Sequence, residues 1–152
     1  MARSKNTQFA VAVHVLTYLA GRADGSPASS DELSGSANVN PVYVRRLLGP
    51  LREAGLVRSR PGAHGGWELA TGARDITLAQ VWLLLQGEDR VLGLHGPDPS
   101  CSVGRSVQQS LTALDRAVAD AVTTELGRFT VHDVLNQDVE RRRPEACPNS
   151  ET

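Results

Sequence analysis

Apolar residues gather into a few separated stretches along this chain, and each stretch carries its own start and stop signals. Phe9 to Ala20, FAVAVHVLTYLA, is almost continuously apolar, which predicts a helix buried on most sides. Gly21 and the ADGSP segment end it. Ser29 opens a second helix, with Glu32 three residues on completing a capping-box pattern. Asn40-Pro41 opens a third, because Asn is a favoured N-cap and Pro is favoured at the first helical position. Within it Val44, Leu47, Leu48 and Leu51 fall at i, i+3, i+4 and i+7, one stripe facing a core. Pro50 removes a backbone bond and is expected to bend or shorten the last turns, and Gly55 ends the helix. LVRSR and WELA then pair as two strands across PGAHGG.

The second half is patterned differently. Ile76 to Gln86, ITLAQVWLLLQ, predicts another apolar helix, capped by Asp75 or Thr77. Gly87 to Ser102 holds three glycines and two prolines and predicts no regular structure. A stretch that long is usually functional or mobile in a compact protein. From Val103 to Leu126 the pattern is amphipathic, with Val107, Leu111, Leu114, Val118 and Val122 spaced as in a helix-packing seam. A short helix follows from Val131 to Val139. The predicted fold class is mainly α with a small β-hairpin wing. The division is a winged helix-turn-helix domain over 1–86, a loop of sensor type over 87–102, a long dimerisation helix with a C-terminal helix over 103–139, and a polar disordered tail over 140–152.

Charge sharpens this division. The whole chain carries a formal net charge of −1, yet residues 1–66 alone carry +4 and residues 67–152 carry −5. Such asymmetry points to a basic binding face beside an acidic body. Between Asn40 and Arg60 five arginines face one glutamate. No apolar run is long enough for a membrane span, the start MARSKNTQF has no secretory pattern, and two distant cysteines do not make a disulfide framework. A cytoplasmic protein associated with the nucleoid, with no membrane partner, is the expectation. Neither a GxSxG elbow nor an HExxH pair is present, so no enzyme activity is expected.

The order helix, tight turn, arginine-rich helix and glycine-rich hairpin is that of a winged helix-turn-helix, which sets one helix in the major groove of duplex DNA. Short or polar residues at the first turn of that helix approach base edges, and nearby cations meet phosphates. Asn40, Pro41, Val42, Tyr43 and Arg46 occupy that turn, with Arg45 and Arg52 flanking the apolar stripe. Val42 suits a thymine methyl, and Tyr43 a phosphate or a sugar. Arg58 and Arg60 begin the wing, His64, Gly65 and Gly66 form a tip able to approach the minor groove, and Arg3, Ser4 and Lys5 supply an N-terminal arm. The rival reading of these residues is a winged-helix module that binds protein partners, its arginines merely solvated.

The helical start KNTQFAVAVHVLTYLA, the core NPVYVRRLLGPLREAGLVRS, the wing GAHGGWELA and the following ITLAQVWLLLQ resemble the IscR/NsrR/CymR superfamily of bacterial winged-helix transcriptional regulators. The resemblance covers about residues 3–138. The P-x-P-x-C-x-V-G motif at Pro97–Gly104 looks most like the cluster-free YwnA-like branch. The resemblance implies a homodimer whose long helices cross, with two recognition helices on an inverted-repeat operator, and a repressor. It implies that Asn40 to Arg46 enter the major groove, and that Arg58, Arg60 and the His64–Gly66 tip meet the minor groove or phosphates. The wing departs from the family's GxGGGY pattern, reading Gly62-Ala63-His64-Gly65-Gly66-Trp67.

Several members of that superfamily hold an iron–sulfur cluster on three cysteines around the start of the long helix. Here Cys101 alone lies in that region, and the next thiol is Cys147 in the tail. Cluster ligation asks for four ligands, mostly thiolate, so no cofactor is expected, an iron–sulfur sensor being the minor alternative. For Cys101 two readings stay open. One is a redox thiol favoured by the helix dipole, with His95 nearby and oxidant as effector; the other is an inert thiol. A small-molecule effector pocket between the first helix, Val81–Leu85 and the dimer arm, lined by Trp82 and Tyr18, is a third option. His14 reads as a hydrogen-bonded core residue.

Overall fold

The computed structural model describes residues 5–87 and 89–142. Three helices come first: α1 (Lys5–Ala20), α2 (Ser30–Ala37) and α3 (Pro41–Glu53). A hairpin of β1 (Val57–Arg60) and β2 (Gly66–Leu69) follows. The chain closes with α4 (Leu78–Gln86), the long α5 (Ser102–Leu126), α6 (Val131–Leu135) and α7 (Asp138–Arg141). The fold is a mainly helical winged helix, as the patterning predicts.

Helix starts follow the chemistry of their caps. The Ser29 side chain accepts from the Glu32 backbone N–H, Asn40 from Val42, and Thr77 from Gln80, each satisfying a donor that a helix start leaves unpaired. Thr77, not Asp75, is therefore the cap of α4. At α2 the second half of the expected capping box is replaced, because the Glu32 carboxylate turns to Tyr18 and Arg22 of the first helix region. Pro50 does not shorten α3, which runs on to Glu53. The helix ends at Gly55, whose φ of 76° lets Leu56 N–H reach back to the Leu51 carbonyl at 3.0 Å.

The core lies where α1, α2, α3, α4 and β1 meet. Val15, Leu16, Leu33, Leu48, Leu51, Ile76 and Val81 are all fully buried in it, and the stripe Val44, Leu47, Leu48, Leu51 supplies the buried side of α3. α1 is buried along one side only, with Ala10 and His14 exposed. β1 and β2 pair antiparallel with Val57 opposite Leu69 and Arg58 opposite Glu68. The hairpin is fastened to the body by a bridge from Trp67 to Ala28, with N–H to O distances of 2.7 and 2.8 Å in the two directions.

The segment after α5 differs from the patterning. Phe129 and Val131 lie in the same core as α1 and α3, and a backbone bridge joins Thr130 to Thr77. The segment after α5 thus packs in the winged-helix body, where the patterning grouped it with the long helix. Its expected single helix breaks at Asn136-Gln137, where Gln137 has φ of 59°, and α7 extends to Arg141, inside the segment predicted to be disordered. The rest of that tail, with Cys147, lies outside the described residues.

Candidate nucleic-acid interface

The first turn of α3 is presented to solvent. Asn40 is exposed and holds the turn through its 2.8 Å bond from Val42 N–H. Val42 itself is 58% exposed, a suitable position for a methyl contact. Pro41 is half-buried at N1. Arg45, Arg46 and Arg52 are exposed. Arg45 approaches Asp31 of α2 at 3.9 Å, a loose and well-solvated pair, while Arg46 and Arg52 form no ion pair among the described residues. Tyr43 departs from expectation: its ring packs against the core and its hydroxyl oxygen is buried. A phosphate contact from Tyr43 is thereby excluded in this conformation, because a residue three or four positions from Leu47 shares its inward side of the helix.

The wing carries Arg58 and Arg60 on its outer face, opposite the face that carries Val57 and Trp67 toward the body. Both guanidinium groups meet one carboxylate, that of Glu68: Arg58 Nε at 2.6 Å and Arg60 Nη2 at 3.1 Å. The Glu68 side chain is only 12% exposed, against 64% and 53% for the two arginines. Sequence reasoning placed the cations but missed their shared anion. The signal for it was the strand register, which sets position 68 across from position 58.

Gly65 and Gly66 serve the hairpin before they serve any ligand. A Cβ at Gly65 would come within 2.1 Å of the Arg60 carbonyl oxygen. At Gly66, with φ of 147°, it would meet the Ala28 carbonyl oxygen at 2.6 Å. These glycines close the turn and let β2 pack on Ala28, so the close backbone approach they permit is made within the chain itself. His64 is exposed at the tip. Lys5 is the first residue of α1, and Arg3 and Ser4 lie outside the described residues.

Cys101 is free and exposed, and caps α5, its Sγ accepting from Gly104 N–H at 3.3 Å. Gly104 is required there, since a Cβ would strike the Pro97 ring at 2.8 Å; that contact explains the first and last residues of the P-x-P-x-C-x-V-G motif. His95 forms no hydrogen bond with Cys101 among the described residues. The preceding loop is tied down by Leu92 N–H donating to buried Asp115 at 2.7 Å and by Gln86 Nε2 donating to the Asp89 carbonyl at 3.0 Å.

The residues around the start of α5 do not fit an iron–sulfur cluster. Cys101 is the single thiol among the described residues, and no group of three or more His, Cys, Asp or Glu side chains converges among them. An apolar cavity of about 670 Å³ lies between α1 and α6, with Tyr18, Arg22, Val134 and Leu135 among its walls. It does not involve α4, and Trp82 instead meets Phe9 edge-to-face at 5.4 Å. His14 is exposed rather than in the core, and its Nε2 pairs with Ser36 Oγ at 2.8 Å.

An exposed recognition-helix turn, arginines beside it and a basic hairpin fastened to the same core define a winged helix-turn-helix regulator that binds DNA. The chain belongs to the Rrf2 family, whose description is "Iron-dependent Transcriptional regulator" and whose pattern matches residues 5–137. It is similar to YwnA of Bacillus subtilis (strain 168), named as a candidate HTH-type transcriptional regulator, with 33% identity across 86% of this chain and 96% of YwnA. Its fold matches that of Staphylococcus aureus CymR at a TM-score of 0.63 and 27% identity, covering 85% of this chain and 95% of CymR. The T. potens IscR structure matches at a TM-score of 0.61 and 25% identity, covering 96% and 94%. Both the family's description and the name of YwnA are those of transcriptional regulators. Among the described residues no helix is long and apolar enough to cross a membrane.

Proposed function

We propose that this protein is a homodimeric, sequence-specific repressor that binds an inverted-repeat operator and works without an iron–sulfur cluster. The observation that carries the reading is the solvent-facing side of α3. Its capped first turn offers Asn40 and Val42, and Arg45, Arg46 and Arg52 line the exposed surface. A second copy is the partner that fits α5, since only Asp115 of its 25 residues is buried in a single chain while Val103, Val107 and Leu114 are exposed. Pairing the long helices would place two recognition helices on a symmetric site.

The signal is the second part of the proposal. Cys101, free and exposed at the start of that same helix, answers an oxidant or electrophile by releasing the operator. A Staphylococcus aureus CymR structure is titled as an oxidised form, and the likeness to it covers 89% of this chain. Cys101→Ser is expected to abolish oxidant-dependent release while leaving basal binding intact; unchanged release in that variant removes the thiol from the mechanism.

Salt-dependent gel shifts on the chain's own upstream promoter test the DNA reading. Arg46→Ala is expected to weaken binding at every sequence and to reduce the salt slope by about 1. If Arg45→Ala, Arg46→Ala and Arg60→Ala leave affinity and slope untouched, the protein is a winged-helix module for protein partners.

A further inference from the structure

We infer that Glu68 is a positioning residue for DNA discrimination: it holds Arg58 and Arg60 in fixed directions on the wing and offsets part of their charge. The inference rests on the DNA-binding reading of the wing. Its basis is geometric. Glu68 stands directly across the hairpin from Arg58, and its Oε1 accepts from Arg58 Nε at 2.6 Å. Arg60 stands across from Gly66, and its Nη2 reaches diagonally to Glu68 Oε2 at 3.1 Å.

One carboxylate therefore uses both oxygens to orient two cations. Its side chain is mostly buried, while theirs stay more than half exposed. That asymmetry matters for recognition. An exposed arginine alone pivots freely about its side-chain torsions and attracts any phosphate. An arginine anchored at Nε by a neighbouring acid keeps its remaining N–H groups pointing one way, the arrangement that a planar guanidinium needs for directional contacts. An anion buried beneath two cations also lowers the attraction that the wing exerts on arbitrary DNA, because counterion release follows the net charge presented to phosphates. Discrimination between partners is a difference of affinities, and a built-in acid acts on the unwanted one.

The test compares the full chain with Glu68→Gln and Glu68→Asp. Each is measured against the duplex that the unaltered chain enriches from a random-sequence pool, and against poly(dI-dC), across a salt series. Glu68→Gln keeps the size and removes the charge. It is expected to tighten binding to poly(dI-dC), to raise the salt slope by about 1, and to reduce the preference for the enriched duplex about tenfold, the scale of one well-directed arginine contact. Glu68→Asp keeps the charge, so its poly(dI-dC) affinity should return to that of the unaltered chain. Its shorter stem reaches one arginine, so the preference should recover only in part. A merely structural role would lower the melting temperature and weaken both DNAs by one factor with no change of slope, and that result overturns the inference. A raised slope with the preference intact overturns it as well, since Glu68 would then be only a charge. Arg58→Ala and Arg60→Ala separate the two levels: if neither changes binding to either DNA, the wing is not a DNA contact and the inference falls with that reading.

Discussion

Asn40 shows how much a single residue settles. Its side chain caps α3 and fixes which turn faces solvent, and both roles were legible because capping is a local matter of one oxygen and one N–H. Asn40→Ala is expected to cost about 1 kcal/mol of stability in urea unfolding, with DNA affinity reduced through a frayed first turn. Gly65 is stricter. A Cβ there has no room against the Arg60 carbonyl, so Gly65→Ala should destabilise by more than the cap loss and distort the wing, seen as a lower urea midpoint and altered amide shifts over residues 58–68. Tyr43 and Glu68 were not legible at this scale. Whether Tyr43 turned inward depended on what lay beneath α3, and Glu68 became a partner of Arg58 only through strand register.

Among the elements, α6 begins where the patterning predicts a helix, and its start is capped from both sides. Thr130 and Asp133 form a reciprocal capping box, with Thr130 N–H donating to Asp133 at 2.8 Å, and Arg142 pairs with the same carboxyl at 3.1 Å. Burial alone would raise the Asp133 carboxyl, but the Thr130 bonds and the Arg142 charge outweigh it and hold it below its ordinary value. A depressed carboxyl stabilises the fold above its unfolded pKa, about 4, and that contribution is lost as pH falls through the folded value. Glu32 acts in the same sense, lowered first by the Tyr18 hydroxyl and then, against burial, by Arg22. Urea stability is therefore expected to drop below about pH 4, and Asp133→Asn should remove part of that slope while lowering stability at neutral pH. The capping pattern was written in the sequence as Thr130 and Asp133, but its value came from Ile76 and Phe129 packing the helix onto the body.

For the whole molecule, the proposed dimer rests on the long α5. Leu114 is 54% exposed in the middle of its apolar seam, and the cost of leaving such a seam in water is what a second copy would remove. Leu114→Glu is expected to shift the protein from dimer to monomer in sedimentation velocity and to weaken operator binding far more than it lowers the urea midpoint. Wild-type behaviour as a monomer would remove the dimer from the proposal. Cooperative binding to a symmetric site is the companion expectation, and it should vanish in the same variant.

The sequence by itself determined the helices, the hairpin and the exposed arginines of α3, because periodicity, caps and turn residues act over one or two turns of chain. Only the tertiary structure decided which face of α1 was open, that α6 belonged to the winged-helix body, and that the cavity lay beside α6 rather than α4. It alone put two wing arginines on one carboxylate. Those outcomes depend on contacts between residues far apart along the chain, where packing and register, not local preference, choose the partner.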